Sequence, residues 1–145
     1  MNIEIIDTPI HIDIYGFSGT ALNKDYAGTA FKLSGKMWQI IKETGIKNKG
    51  QNIWVYEPNE NVFAGVVLEE PLKNNSTLLY KNITLEKYAY FKHIGSFSLI
   101  KQVGQNMIEE IKNRGLQTTL PYIEVYGHWN KDEAKLETEL LMSLK

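Results

Sequence analysis

Two short stretches decide the fold: residues 53–56, which read IWVY, and residues 123–126, which read IEVY. They match at three of four positions, and in each an aliphatic residue alternates with an aromatic or acidic one. Alternation with a period of two is typical of a β-strand that buries one of its faces. Both stretches therefore predict strands, and their likeness indicates an internal repeat.

Each stretch lies at the same place in one half of the chain. The first half predicts a strand over about 10–14, a helix over 25–43, strands over 52–56 and 62–70, and a loop over 71–77. The second half predicts a strand over 85–93, a helix over 96–114, and strands over 122–126 and 136–144. A glycine precedes each helix, Gly19 and Gly95, and another ends it, Gly45 and Gly115.

The repeated order strand–helix–strand–strand predicts an α+β fold made of two βαββ units with pseudo-twofold symmetry. We expect one antiparallel sheet that carries two helices, and a central ligand cleft where the two units meet. The length suits one domain over residues 1–145, with repeat halves at about 8–70 and 84–144.

The composition excludes several classes of protein. Sixteen basic and 17 acidic side chains give a net charge of −1, whereas proteins that grip nucleic-acid phosphates are generally basic. The absence of cysteine excludes disulfides and thiol catalysis. No apolar run approaches the ~20 residues of a membrane span, and the first residues do not resemble a signal peptide. We expect a cytoplasmic protein that binds neither membranes nor nucleic acid directly.

One strand face predicts a binding site. In the strand over 122–126, Tyr122, Glu124 and Tyr126 face one way, and Trp54 and Tyr56 face the same way if the repeated strands are equivalent. Aromatic rings attract cations, and a carboxylate without a basic partner is costly to desolvate. The pattern is that of a pocket for a lipophilic cation. The alternative interpretation makes Glu124 a solvated residue on an exposed face, with tyrosines as ordinary cross-strand neighbours.

Other residues with chemical potential are weaker candidates. The three histidines, His11, His93 and His128, lack the spacing of metal ligands, so we expect neither a metal nor a cofactor. Trp129 falls in a predicted hairpin loop, where it either contacts a partner or packs back on the sheet.

The stretch over residues 88–97, YAYFKHIGSF, resembles the strand-to-helix segment of the GyrI-like small-molecule-binding family, with its aromatic–Ala–x–Phe–x–His–x–Gly–x–aromatic pattern. Gly115 at the helix end and the Glu-x-Tyr of Glu124 and Tyr126 are also similar to that family. The likeness is best over about 84–144. It departs at Ser96 and Phe97, where members often carry Pro-Tyr.

The resemblance implies a duplicated βαββ fold that binds amphiphilic, often cationic, aromatic molecules in a cleft, as the effector-binding domains of multidrug-responsive and AraC-type transcription regulators do. It implies that Glu124 lies at the bottom of the cleft. The aromatic residues expected around it are Trp54, Tyr56, Tyr90 and Tyr126, with Phe17 and Trp38 as further members.

Three functions remain open from the sequence. The first is a sensing or sequestering module for cationic, drug-like effectors, without the DNA-binding helix-turn-helix of the complete regulators. The second is a hydrolase of strained-ring genotoxic compounds, in which Glu124 works with Tyr90 or Tyr126 as general base and acid. The third is a protein-interaction module that uses the loop of Trp129, either as a gyrase-inhibiting protein or as a homodimer.

Overall fold

The computed structural model describes residues 1–72 and 77–145. Within them, eight strands form one antiparallel sheet, and two helices pack on it. In chain order the strands are β1 Glu4–Ile6, β2 Ile10–Thr20, β3 Asn52–Glu57, β4 Asn61–Val66, β5 Leu79–Leu85, β6 Tyr88–Ile94, β7 Thr118–Tyr126 and β8 Glu137–Leu144. The helices are α1 Tyr26–Thr44 and α2 Ile100–Asn113. The predicted α+β fold is confirmed.

The strand order carries the internal symmetry. It runs β1-β6-β8-β7-β3-β4-β2-β5. The counterparts in the two halves are β1 and β5, β2 and β6, β3 and β7, and β4 and β8. When each strand is replaced by its counterpart, the result is the same order read from the other end. The central pair is β3 and β7, which contain the two similar stretches, and Trp54 lies directly opposite Glu124. The predicted pseudo-twofold arrangement of two βαββ units is therefore confirmed.

Each unit also has an additional first strand that the sequence patterns did not predict. The additional strands are β1 and β5, and each pairs with a strand of the other unit. β1 pairs with β6 of the second unit, and β5 pairs with β2 of the first. The strand predicted over 85–93 corresponds to β6 but begins too early, because Leu85 ends β5 and β6 begins at Tyr88 after a two-residue turn. The strand predicted over 62–70 ends early, at Val66. Most of the loop predicted over 71–77 lies outside the described residues.

The connections show that the sheet is rolled. β1 is first in the sheet and β2 seventh, so six strand spacings of about 4.8 Å, about 29 Å in all, would separate them if the sheet were flat. Only residues 7–9 connect the two strands, and a connection of that length spans at most about 14 Å. The two-residue turn from β5 to β6, the eighth and the second strand of the sheet, imposes the same condition. The two ends of the sheet must therefore curl toward each other.

The roll divides the apolar residues between two faces. Within residues 1–72 and 77–145, no helix packs on the inner face. Its buried residues come from all strands except the short β1: Ile14, Ile53, Val55, Phe63, Ile83, Leu85, Tyr88, Ile123 and Leu141. The outer face carries the helices. On it α2 packs Met107 and Ile111 against β6 and β8, and α1 packs Met37 and Ile41 against β4.

Local sequence accounts for the ends of the helices. The Asp25 side chain accepts a hydrogen bond from the Gly28 amide at 3.1 Å and caps α1, and Gly45 ends that helix in the left-handed conformation at φ 70°. A 3₁₀ turn, Phe97–Leu99, precedes α2, so the regular helix begins four residues later than predicted. Neither helix of the described chain is long and apolar enough to cross a lipid bilayer.

Candidate functional site

The site is centred on Glu124, in the C-terminal part of β7. The pleat turns Ile123 and Val125 toward the inner core and Glu124 toward the outer face, on the central strand pair between the areas covered by α1 and α2. The Glu124 side chain is only 7% exposed. The interpretation of Glu124 as a solvated surface residue is therefore wrong.

Three phenol hydroxyls donate hydrogen bonds to the Glu124 carboxylate. Tyr56 and Tyr126 both donate to Oε1, each at 2.9 Å, and Tyr122 donates to Oε2 at 2.7 Å. Tyr122 and Tyr126 reach it along their own strand, whereas Tyr56 reaches it from β3. A hydroxyl that donates to a carboxylate makes one of the stronger hydrogen bonds in proteins. We call Glu124 and these three tyrosines the tyrosine–carboxylate cluster.

The electrostatics of the tyrosine–carboxylate cluster follow from its burial. Burial raises the pKa of Tyr56, Tyr122 and Tyr126 far above the usual value, because phenolate is poorly solvated there, and the negative charge of Glu124 raises them further. The phenols therefore stay neutral donors around the carboxylate. The ion pairs formed by the described residues do not include Glu124, so neutral groups alone compensate its charge.

Further aromatic rings surround the tyrosine–carboxylate cluster. The Tyr126 ring lies between Trp54, at 4.7 Å between centroids, and Phe97, at 5.2 Å. On the other side Tyr56 stacks on Tyr122 at 5.5 Å, and Tyr26 of α1 meets Tyr56 edge-on at 5.8 Å. Such tilted and offset pairs are the favourable geometries for aromatic rings. Phenol, indole and phenyl rings thus enclose the carboxylate.

The structure brings some of the predicted site residues together. Trp54, Tyr56 and Tyr126 surround Glu124 as expected. Tyr90 does not, because it pairs with Leu141 and packs against the inner core, on the opposite face of the sheet. The expectation that Tyr90 lies beside Glu124 is therefore wrong. Burial, with the nearby charge of Glu139 as a second cause, raises the pKa of Tyr90 to about 12.

Phe17 and Trp38 lie on the outer face but next to α1. Phe17 is aligned with Glu124 across the sheet but three strands away, and the Lys36 ammonium lies 4.3 Å from its ring centre. Trp38 donates its indole N–H to the Asn52 side chain, and Asn52 is the cross-strand partner of Tyr126. Trp38 thus borders the site, whereas Phe17 is remote from the carboxylate.

Tyr122 lies beside Glu124, on the face where strand alternation placed it. Two further residues of the site were not predicted. Tyr26 and Phe97 lie near the starts of α1 and α2, and no periodicity in the sequence shows that helix starts approach a strand centre. Trp129, the other open question, is 78% exposed in the loop before β8.

The two described surface cavities lie away from Glu124. One, of about 460 Å³, is lined by residues of β2, β5 and the segment after β4, including Asp13, Tyr15 and Tyr80. The other, of about 240 Å³, lies at the end of α2 beside Lys145. In the described part of the chain, no group of three or more histidine or acidic side chains could hold a metal ion.

Solved structures with this fold were found among several bacterial proteins. The C-terminal domain of EcmrR has a TM-score of 0.73 at 16% identity, over 100% of this chain and 99% of that chain. In the complex of EcmrR with DNA, this chain spans only 56% of the EcmrR chain. SAV2435 bound to tetraphenylphosphonium has a TM-score of 0.67 at 17% identity, over 100% of this chain and 94% of that chain.

A hydrolase encoded by lin2189 from Listeria innocua has a TM-score of 0.55 at 13% identity, over 99% of this chain and 91% of that chain. At such identities these likenesses establish the fold alone. No curated protein sequence matches the chain. The model of the GyrI-like small molecule binding domain family, in contrast, matches residues 1–145 in full, and the chain therefore belongs to that family.

Proposed function

We propose that the chain binds an aromatic, lipophilic cation at the tyrosine–carboxylate cluster. The observation that carries the proposal is a carboxylate 7% exposed whose hydrogen-bond partners are three neutral phenols. A buried charge without an opposite charge is costly, because hydrogen bonds from neutral groups only partly replace water. A cation that entered beside Glu124 would remove that cost.

The surrounding rings suit a cation whose charge is spread over a large apolar surface. The faces of Trp54, Tyr126 and Tyr56 are each able to contribute about 0.5–2 kcal/mol of cation–π attraction. Phenols with strongly raised pKa values remain neutral, so Glu124 supplies the negative charge of the site and the phenols remain its hydrogen-bond donors. The solved SAV2435 complex with tetraphenylphosphonium supports the same class of ligand.

Binding requires the closed cluster to open. Tyr126 is the side chain best placed to move, because it is half-buried at the C-terminal end of β7 and the exposed Phe97 covers its ring. Its hydroxyl shares Oε1 with that of Tyr56, so Glu124 keeps two donors when Tyr126 moves away. Ligand binding is then expected to move Tyr126 away from Glu124.

The test uses two probes of the same shape and opposite charge, tetraphenylphosphonium and tetraphenylborate, in titration calorimetry. We expect the cation to bind and the anion not to bind. Glu124→Gln, which keeps the shape but removes the charge, is expected to weaken the cation at least about 10-fold, equivalent to about 1.4 kcal/mol. The matched control is Glu139→Gln on the opposite face, which should leave the affinity unchanged.

Two results would contradict the proposal. Equal binding of both probes would show that shape rather than charge governs the site. Equal losses in Glu124→Gln and Glu139→Gln would place the binding elsewhere on the protein. The proposed biological role is that of a sensing or sequestering module, as expected for an effector-binding unit that acts through a separate partner.

A hydrolase is the second candidate. Glu124 and Tyr122, joined at 2.7 Å in a buried site, are a base and an acid close enough to act on one substrate. Tyr126, which also contacts Glu124, remains a partner for this chemistry, whereas the position of Tyr90 excludes it. Incubation with a strained-ring electrophile would give many turnovers per protein molecule if the chain is an enzyme. At most one equivalent consumed would favour the binding function.

An interaction role is the third candidate and rests on Trp129. An indole 78% exposed on a loop is a suitable anchor for a protein surface. Sedimentation of the chain and of Trp129→Ser, alone and with gyrase, tests both a homodimer and the gyrase-inhibiting role. Sedimentation as a monomer that does not associate with gyrase would leave no support for either.

A further inference from the structure

The tyrosine–carboxylate cluster has an unused hydrogen-bond donor beside it. The indole N–H of Trp54 is buried and has no hydrogen-bond partner among the described residues. Nearly all buried polar groups in native proteins are paired, because an unpaired donor loses its bonds to water without replacement. Trp38, in contrast, donates its indole N–H to Asn52. Of these two indoles, that of Trp54 is therefore the unpaired one.

The position of Trp54 connects this donor with the binding site. Trp54 is the cross-strand partner of Glu124, on the same face of the central strand pair. Its ring lies 4.7 Å from that of Tyr126, the side chain whose movement would open the cluster. A ligand that displaces Tyr126 would take its place against both the Glu124 carboxylate and the Trp54 indole.

A second unpaired group lies on the other side of Tyr126. The Thr138 hydroxyl is fully buried, has no hydrogen-bond partner among the described residues, and belongs to the cross-strand partner of Tyr126 on β8. Both unpaired groups thus flank the same side chain. They lie at different positions along the strands: Trp54 is opposite Glu124, and Thr138 is opposite Tyr126.

We propose that the Trp54 indole N–H donates a hydrogen bond to the ligand, so that this site selects aromatic cations that also carry a carbonyl, ether or ring-nitrogen acceptor. This inference rests on the proposed function, because it assigns a second contact of the same ligand. It distinguishes the preferred ligand from a cation such as tetraphenylphosphonium, which offers no hydrogen-bond acceptor.

A pair of cations with similar shape and equal charge tests the assignment. The probes are 1-benzyl-4-acetylpyridinium, which has a carbonyl acceptor, and 1-benzyl-4-isopropylpyridinium, which has none. We expect the acetyl probe to bind the unmodified protein roughly 3- to 10-fold more tightly, as one added hydrogen bond allows. Trp54→Phe should abolish this ratio, even where the smaller ring weakens both probes.

Thr138→Val is the matched control, since it removes the other unpaired group and keeps the shape of the side chain. It should leave the ratio unchanged, and loss of the ratio in Thr138→Val but not in Trp54→Phe would overturn the assignment to Trp54. Indole ¹⁵N–¹H spectra add a readout on the unmodified chain, whose three tryptophans give three signals. The signal missing from Trp54→Phe should move downfield with the acetyl probe only.

The outcomes separate this inference from the proposed function. If both probes bind with equal affinity and Glu124→Gln weakens both, the cation site stands and the role of Trp54 is overturned. If neither probe binds the unmodified protein, the proposed function fails for this class of cation and the inference fails with it. An indole signal that does not move when the acetyl probe binds would also overturn the role of Trp54.

Discussion

Tyr122 donates the shortest of the three hydrogen bonds to Glu124, at 2.7 Å, and Oε2 accepts it. Tyr122→Phe keeps the ring stacked on Tyr56 but leaves a buried carboxylate oxygen without that donor. We expect the free energy of unfolding to fall by about 1.5–3 kcal/mol, the usual range for a hydrogen bond to a charged group. Urea unfolding followed by circular dichroism measures it.

Tyr80→Phe is the matched control for that variant. Tyr80 donates to the Asp13 carboxylate at 2.6 Å, which is the same chemistry, but its side chain is 58% exposed. Water replaces the lost donor there, so we expect a change within about 0.5 kcal/mol. Similar losses of unfolding free energy in the two variants would show that burial does not strengthen the hydrogen bonds to Glu124.

The cluster also predicts a response to high pH. Burial and the charge of Glu124 raise the pKa of Tyr56, Tyr122 and Tyr126 above the unfolded value of about 10. The folded state therefore holds protons that the unfolded state loses, and the stability gained from them declines as the pH rises above about 10. We expect these three of the eight tyrosines to ionise only as the protein unfolds.

Phenolate absorbance and circular dichroism, recorded together against pH, measure this behaviour. In Tyr126→Phe the late absorbance phase should lose the share of one tyrosine. In Glu124→Gln burial remains but the charge is gone, so the late phase should move to lower pH without merging with the early one. Ionisation of all eight tyrosines near pH 10, with the fold intact, would contradict the raised pKa values.

The site shows which residues a sequence allows one to predict. Strand alternation placed Tyr122, Glu124 and Tyr126 on one face, and the repeat added Trp54 and Tyr56, all correctly. Tyr90 was assigned from the family resemblance rather than from alternation, and the pleat turns it to the other face. The unpaired indole of Trp54 was not predictable, because it depends on the atoms around one ring.

At the scale of elements, two glycines predict opposite effects of the same substitution. Gly35 lies exposed in the interior of α1, and an added Cβ would meet no atom within 4 Å. Gly16 lies on β2, where a Cβ would be 1.8 Å from the Ala64 carbonyl oxygen of β4. Gly35→Ala should therefore stabilise the helix, by up to about 1 kcal/mol.

Gly16→Ala should instead destabilise the protein by about 1–3 kcal/mol, since the two strands must move apart to admit the methyl group. Melting temperatures measured by calorimetry should rise by about 2–4 °C for Gly35→Ala and fall for Gly16→Ala. A fall in both would mean that Gly35 has a packing role that its open surroundings do not show.

Element prediction succeeded where hydrophobic period and end signals agree. The period of α1 is bounded by Asp25 and Gly45, and its predicted limits are correct within a residue. β1 and β5 are different, since both lie at edges of the sheet and most of their residues are partly exposed. Their hydrogen-bond partners are distant in sequence, and a period within one short segment carries no information about such partners.

The whole molecule is held together by exchange between its two halves. β1 of the first half pairs with β6, β5 of the second half pairs with β2, and β3 pairs with β7 at the centre. The inner core likewise combines Ile14 of β2 with Leu141 of β8. Either half alone would expose this core and the unpaired backbone of its central strand, despite the symmetry between the halves.

This arrangement supports the expectation of one domain over residues 1–145, and it predicts cooperative folding. Expressed separately, the fragments 1–72 and 77–145 should lack a cooperative thermal transition and fixed near-ultraviolet circular dichroism, because each loses three of its strand contacts with the other. Expressed together, they should associate and recover both signals, since every pairing named above forms between described residues. A single fragment that melts cooperatively as a monomer would show that the repeat unit is an independent domain, and the one-domain expectation would then be wrong.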